Sequence, residues 1–430
     1  MKPGWAVWVL GAAAACASAA TPEGRPVPAP DWATYTEMVV AGSLELRQVS
    51  QGFADAEGRA ISLRAIAYPT AEALALTLPP TFYVRIEQVL VDRAVGPQFE
   101  LARLAPRVAQ ARYEAALDGV IFRARQAFAA AIAAGERVDI LRDHLARADE
   151  LVRQSKALFD AGRVQRGEVA RMEVRANLLR QQLEQARVDA TAARADMAGL
   201  AGLRGEVQPL GKLGEEAVPE LGLPALVQEA REGRADLHFL RTEKLASGQK
   251  LLLSTRPLYP RLALFTNPVF QPVSLGSDFD IGRNDNEPAL SRREGNSQLP
   301  AGVQLTWTLF DGGASMGQKQ AAGAEVLGQA QALAALEASL PGEIAHALAA
   351  FRAARENLEA RVLSPSPQVL REAAETDYAA GRIRIADRVR AEDAVLEQEL
   401  GLLEARLACS LSAAALDAAR GRVVRIITAP

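Results

Sequence analysis

The chain repeats itself, and the repeat limits what it can fold into more than any other feature. Phe159-Asp160-Ala161-Gly162-Arg163-Val164 recurs as Tyr378-Ala379-Ala380-Gly381-Arg382-Ile383, a displacement of 219 (381 minus 162). The same displacement carries Glu168 to Asp387, Glu173 to Glu392 and Leu183 to Leu402, and it leaves Val169 one position short of Val389. Upstream it maps Val84, Ile86, Leu90 and Asp92 onto Val303, Leu305, Leu309 and Asp311, so 70 residues separate Asp from Gly in each half (162 minus 92, 381 minus 311). Tyr68-Pro69 and Tyr259-Pro260 are related by 191 instead, which leaves the second half 28 residues longer (219 minus 191) between Tyr-Pro and Asp. The stretch Gln271 to Pro300, rich in Gly, Asn, Ser, Asp and Pro, reads as the loop that holds them. Self-similarity of this kind means one supersecondary plan used twice.

The plan can be read from periodicity. A helix, about Gly42 to Ala67 in the first half and about Leu226 to Leu253 in the second, ends near Tyr-Pro, because proline biases its predecessor out of the helical region. Two strands follow, about 69–78 and 82–92, then about 260–270 and 300–311. In the later strand of each pair alternate residues share a face: Val84, Ile86 and Leu90 against Arg85 and Glu87, and Val303, Leu305, Trp307 and Leu309 against Gln304, Thr306 and Thr308. Leu74, Leu76 and Leu78, and Leu262 and Leu264, alternate less strictly. Each strand is about ten residues, the length that crosses a bilayer as a tilted strand. The first hairpin connection falls near Pro79-Pro80. Long helices come next, about 96–158 and 314–378, with apolar residues at helical spacing (Leu101, Leu104, Val108; Val120, Phe128, Ile132; Leu141, Leu145, Val152). Some 60 helical residues span roughly 90 Å. Pro106, Pro341, Pro365 and Pro367 predict kinks or local unwinding. Turns at Gly162 and Gly381, where glycine accepts positive φ, lead into return helices at about 168–200 and 387–419. The predicted organisation is a leader at 1–20, a first repeat at 21–201, a linker at 202–224, a second repeat at 225–421 and a tail at 422–430.

Composition agrees with a helical object. At 430 residues the chain exceeds the size at which one core stops growing, and 49 % hydrophobic with only 5 % aromatic residues is the balance of Ala- and Leu-rich packed helices. A net charge of −3 lacks the basic footprint of nucleic-acid binding, so nucleic acid is not expected as a partner. Lys2, an apolar run from Ala6 to Ala15 and then Ala17-Ser18-Ala19 have the order of a secretory signal peptide, too short to span a bilayer. Cys16, after four alanines, is a candidate lipidation site, although Ala13 stands where a large aliphatic residue is usual; the other reading is cleavage after Ala19 or Ala20, which discards it. Cys409 is expected as a small buried helix residue, so the mature chain has neither a disulfide framework nor a cysteine metal cage.

Four membrane-length strands cannot close a barrel, and an open sheet in lipid leaves unpaired edge groups at several kcal/mol each. Copies must therefore combine; closed barrels start at about eight strands, and three copies would supply twelve. Arg85, Glu87, Gln304 and Thr306 on one strand face suit a wet interior. Here the residues resemble a known family. Pro260-Arg-Leu-Ala-Leu264, the strand end Trp307-Thr-Leu-Phe-Asp-Gly-Gly313, and the turns Phe159-Xaa-Xaa-Gly162 and Tyr378-Xaa-Xaa-Gly381, each followed by an acidic residue and Val, look like the TolC-type outer-membrane efflux family over essentially the whole mature chain. The resemblance implies a mainly α fold with a small membrane β part, built as a duplicated helix, β-hairpin, long-helix repeat. It implies a homotrimer whose 12-stranded β-barrel in outer-membrane lipid continues as an α-helical tunnel in the periplasm. The tips would dock a periplasmic adaptor linked to an inner-membrane transporter, in a tripartite efflux or type I secretion system. The tip residues implied are Gly162, Arg163, Val164, Gly167 and Glu168, with Gly381, Arg382 and Ile383. Asp387 matches an acid that rings the closed entrance, but Arg390 stands where a second acid often occurs.

Other readings stand beside these. The glycines serve equally as plain helix-hairpin turns, though Arg163/Arg382 and Glu168/Asp387 recur at both. Asp387 fits an N-terminal helix carboxylate favoured by the macrodipole. Trp307 is either an interface anchor or barrel exterior. Gly313-Ala-Ser315-Met-Gly317 fits the G-x-S-x-G of a nucleophile elbow, but the only later histidine is His346, and the matching first-half segment Ala94 to Gln98 has no serine. His144, His238 and His346 are isolated, so no zinc set is expected, and Asp278 to Gly282 resembles a calcium loop only loosely. No enzyme activity, metal or cofactor is expected. The alternative from another class is an exported, non-channel coiled-coil scaffold or adaptor.

Overall fold

The computed structural model describes residues 29–77, 80–213, 222–266, 269–270, 301–364 and 366–422. The predicted leader with Cys16, Pro79, the Gln271 to Pro300 loop with its Asp278 stretch, Pro365 and the tail beyond Arg422 lie outside them. The chain is mainly α with a small β part. It divides into two compact units, one of residues 1–50, 112–237 and 336–430, the other of 51–111 and 238–335. Each unit draws on both repeats.

The element order repeats as the sequence does. Helices α1 (Trp32–Gly42) and α2 (Leu44–Arg64), a 3-10 turn at Ala65–Ala67, strands β1 (Thr70–Thr77) and β2 (Pro80–Val91), and helices α3 (Val95–Asp160) and α4 (Arg166–Leu200) make the first round. The second is α5 (Leu223–Gly233), α6 (Ala235–Ser254), a 3-10 turn at Arg256–Leu258, β3 (Arg261–Thr266), β4 (Val269–Phe270), β5 (Ala301–Thr306), α7 (Ala314–Val362), α8 (Pro367–Ala379) and α9 (Ile385–Ala419). Both displacements reappear in the bounds. Adding 219 to the ends of α4 gives α9, and adding 191 to those of α1 gives α5.

Four expectations change. The helix predicted at about Leu226 to Leu253 is two, broken at Arg234, while in the first half the helix predicted from Gly42 is α2 and is preceded, across Ser43, by a helix α1 that the periodicity did not predict; Ser43 and Arg234 are both in extended conformation. The first of each pair, α1, is announced by Asp31, whose carboxylate caps the helix by accepting from the Thr34 N–H at 2.9 Å. The last strand stops at Thr306, so Trp307 and Leu309 are not strand residues. The helix runs on through Pro106 and Pro341; α7 ends at Val362 and α8 begins at Pro367, where Ser366 is the cap and Pro367 takes the first turn, a position that needs no N–H.

In the first unit the core is where α1 meets α3 and α4. Tyr35 and Val39 pack with Val120, Ala124, Phe128, Ile132 and Met197. The Tyr35 ring stacks on Phe128 at 5.5 Å and its hydroxyl donates to the Met197 carbonyl at 3.1 Å. Further along α3, Leu141 and Ala148 pack with Leu179 and Leu183 of α4 and Leu396 of α9. Cys409 is buried, as a small helix residue should be. The second unit holds the sheet. No helix among the described residues is long and apolar enough to cross a membrane.

Candidate functional site: a two-faced sheet and paired helix tips

The strands form one antiparallel sheet in the order β1-β2-β3-β5, with β4 pairing β2. Hairpin β1/β2 of the first repeat therefore joins β3 of the second, and β1 and β5 are the outer strands of that order. Register fixes two faces. Ile86 pairs with Thr266, Gln88 with Leu264, Val91 with Leu262, Leu264 with Val303 and Leu262 with Leu305, with a bulge between Val89 and Val91. On this face Ile86, Val91, Leu264, Val303 and Leu305 are all exposed. An exposed apolar band of this width on a sheet marks a surface that something else covers.

The opposite face is an ion-paired ladder. Arg85 Nη2 donates to Glu87 Oε2 at 3.0 Å and to Gln304 Oε1 at 3.3 Å, reaching across β3 to the position that the 219 displacement makes its own counterpart. Arg261 Nη2 donates to Glu87 Oε1 at 2.7 Å. Arg256 donates from Nε and Nη2 to Asp92 Oδ2 at 3.0 and 2.8 Å. The pairs of Arg85 and Arg261 with Glu87 are partly exposed and contribute only about 0.2–1 kcal/mol each. They keep one face polar rather than hold the sheet together. Arg256 and Arg261 were not singled out from sequence, because alternation says nothing about partners on other strands.

The repeated aspartates turn the strand into the helix. Asp92 Oδ1 accepts from the Ala94 N–H at 2.8 Å, and Asp311 accepts from Gly313 N–H at 3.0 Å and Ser315 N–H at 2.8 Å. Gly312 and Gly313 take positive φ, 69° and 92°, whereas Ser315 does not. Ser315 is 3 % exposed and its hydroxyl donates to Asp311. It is a helix-entry residue held by a carboxylate, without the strained, open backbone that an elbow gives a nucleophile.

The tips match in backbone. Gly162 and Gly381 have φ of 71° and 72°. The Arg163 N–H donates to the Leu158 carbonyl at 2.8 Å and the Gly162 N–H to Phe159 at 2.9 Å; at the second tip the Arg382 N–H reaches Asp377 at 2.9 Å and the Gly381 N–H Tyr378 at 3.0 Å. Each is a Schellman turn closed by a left-handed glycine. Gly162, Arg163, Gly167, Gly381 and Arg382 are exposed, while Val164, Glu168 and Ile383 are half-buried. Asp387 lies in the first turn of α9, where it accepts from the Arg384 N–H at 3.4 Å and from Arg390 Nη1 at 3.1 Å. Arg388 links three helices: it donates to Gln154 at 3.4 Å and Glu375 at 3.5 Å and lies 5.2 Å from the Tyr378 ring centre. Sequence gave no sign of Arg388, since its counterpart is Val169. An open groove between α4 and α9 is lined by Arg171, Val174, Arg175, Leu178, Arg390 and Asp393.

No family profile matches the chain, and no curated protein matches it in sequence. Solved structures do match. The CmeC outer-membrane channel of Campylobacter jejuni superposes with a TM-score of 0.73 over 91 % of this chain and 85 % of its own, at 14 % identity. The open-state MtrE outer-membrane channel of Neisseria gonorrhoeae gives 0.73 over 91 % and 89 %, at 18 % identity. The outer-membrane protein VceC of Vibrio cholerae gives 0.70 over 91 % and 96 %, at 17 % identity. The fold is that of outer-membrane channels. At these identities the likeness is one of backbone, and the side chains described above have to be interpreted on their own chemistry.

Proposed function

We propose that three copies of the mature chain form an outer-membrane channel-tunnel that serves as a passive export duct of a tripartite efflux or secretion system. One observation carries this reading: a sheet with an exposed apolar face, an ion-paired polar face and open outer strands, each repeat of which feeds directly into a long helix. Lipid is the environment that suits the apolar face, water the polar one. Pairing β5 of one copy with β1 of the next closes a barrel of twelve strands and removes every edge. The helices then extend the passage into the periplasm. In this reading residues 21–201 and 225–421 are the two repeats, residues 1–20 are removed on export, and Cys16 bears a lipid only if cleavage leaves it at the N-terminus. The matched tips around Gly162-Arg163-Val164, Gly167 and Glu168 and around Gly381-Arg382-Ile383 dock a periplasmic adaptor bound to an inner-membrane transporter. Asp387 and Arg390 line the entrance. Their mutual pairing makes that ring less acidic than one built from two carboxylates, so weak cation preference is expected. Conductance of the purified protein in a planar lipid bilayer tests the reading. Discrete, long-lived conductance steps are expected, with cation preference lowered further in Asp387→Ala. A protein that leaves the bilayer silent at every concentration would favour a soluble helical scaffold.

A further inference from the structure

One buried cluster does not follow the duplication. His144 of α3, whose side chain is 0 % exposed, faces two carboxylates of α9: its Nε2 lies 2.9 Å from Glu399 Oε2 and its Nδ1 lies 3.9 Å from Glu392 Oε2. Arg371 of α8 donates from Nη2 to Glu399 Oε1 at 2.9 Å, and its Nε is 3.8 Å from Glu392 Oε2. Leu141 and Ala148 of α3 and Leu396 of α9, each about one helical turn from a member of the cluster, pack with Ala176, Leu179 and Leu183 of α4. On α3 itself Arg147 lies one turn further along. The 219 displacement relates Arg371, Glu399 and His144 to Val152, Arg180 and Leu363, so the first hairpin has no equivalent cluster.

Glu399 as a carboxylate only accepts, so His144 Nε2 carries its hydrogen there. Nδ1 of a neutral imidazole is then a lone pair pointing at Glu392 Oε2. Both atoms are buried without a hydrogen-bond partner, as is Arg371 Nε, and Glu392 is only 4 % exposed. Two buried acceptors facing each other cost free energy that one proton between them removes, whichever atom carries it. With that proton the cluster holds two positive and two negative charges, or their neutral equivalents.

We propose that His144 and Glu392 share one proton, and that this proton clamps α3 of the first hairpin to α8 and α9 of the second. Histidine is the side chain whose change of charge lies nearest neutral pH, so a proton shared here makes docking depend on pH. Docked helices bind one more proton than separated ones, hence docking weakens as pH rises. There is also a lower limit. The hydrogen bond from His144, and after it the guanidinium of Arg371, holds the Glu399 carboxyl below its ordinary value. That contribution is present above the ordinary carboxylate value and is lost as pH falls through the lowered one. The clamp itself is read from geometry; that it biases opening of the entrance rests on the export-duct reading.

Hydrogen exchange on the full-length protein in detergent, corrected for the intrinsic pH dependence of amide exchange, tests the clamp without requiring a channel. Protection of α8 and the first half of α9 should be about tenfold greater near pH 5.5 than near pH 7.5, the change that one linked proton allows over one unit. His144→Gln should abolish the difference. Glu392→Gln, close to isosteric, supplies an N–H for the neutral Nδ1 and should keep protection high at both pH values. Equal protection of the wild type at both pH values, as a trapped water bridging the two acceptors would give, overturns the proposal. An unchanged pH profile in either variant does so too. Bilayer conductance over the same pH range then reads the gating consequence separately, so a working clamp without pH-dependent opening would count against the duct reading and not against the clamp.

Discussion

At the first tip Gly162 turns the chain at φ 71° and at the second Gly381 does so at 72°, with the same pair of closing hydrogen bonds. Their side chains part company at once. The first tip's hairpin is joined by exposed pairs such as Lys156 with Glu173 at 2.7 Å. The second ties itself to other helices through Arg388, through Arg175 to Asp393 at 2.7 Å, and through the buried His144, Glu392, Glu399 and Arg371. Duplication has kept the backbone solution and let the charges diverge. The turn is a property of local geometry that any copy must satisfy, whereas the ionic contacts depend on what each hairpin packs against. The second hairpin is therefore where sensitivity to charge and pH should concentrate.

The sharpest way to break this contrast is Arg371→Ala against Val152→Ala, the same position in the two repeats. Removing Arg371 leaves Glu392 and Glu399 with one cation between them, at a cost of about 3 kcal/mol by analogy with broken buried pairs, while truncating the half-buried Val152 should cost about 1 kcal/mol. Local opening free energies from hydrogen exchange would show the difference. Equal costs would mean that the cluster is structurally idle.

Next comes Gly162→Ala against Gly381→Ala. A Cβ at either position meets nothing within 4 Å, so the penalty is conformational alone, about 1–2 kcal/mol for a non-glycine residue in the left-handed region. It should be the same at both tips in urea unfolding of the detergent-solubilised protein. An imbalance greater than about 1 kcal/mol would show that one turn is strained by its surroundings.

A subtler contrast is acid. Glu399 is held below its ordinary carboxylate value first by His144 and then by Arg371, and its first-repeat counterpart is Arg180. Stability from Glu399 is thus present above about pH 4.5 and declines as pH falls through the lowered value, so the second hairpin should lose exchange protection first on acidification. The first hairpin losing it earlier would contradict the asymmetry. The smallest effect is expected from Asp387→Ala, which removes a helix-entry acceptor and an exposed pair with Arg390 for about 0.5 kcal/mol, and from Glu168→Ala, smaller still. Circular dichroism melts would resolve the first and barely the second.

Much of this architecture was legible because it is periodic. The 219 displacement reappears in α4 and α9, the 191 displacement in α1 and α5, and the tip glycines take the positive φ that their spacing required. What escaped was aperiodic. The break at Arg234 lies inside a helical pattern, and α1, upstream of the helix predicted from Gly42, is too short for its apolar stripe to stand out before Tyr35 is seen packed on Phe128. Pro106 and Pro341 look like breakers, yet the helix carries on through them; a proline sacrifices a single ladder bond, and long packed helices tolerate that loss. Of the site, Gly162, Gly381 and Asp387 could be named from the repeat, because a repeat exposes what two segments share. Arg388, His144, Arg371 and Glu399 could not, because they are what the segments do not share; of that cluster Glu392 alone has its counterpart, Glu173.

A sheet too small to close by itself must close by threefold association in lipid if the chain is an export duct. The most direct test is to fractionate cells expressing the full chain, extract the outer membrane with detergent, and size the product with mass detection. A detergent-dependent species of three chains in the outer-membrane fraction is the predicted result. A monomer in the soluble periplasmic fraction would contradict it and leave the exposed apolar face of Ile86, Leu264, Val303 and Leu305 to be covered in some other way.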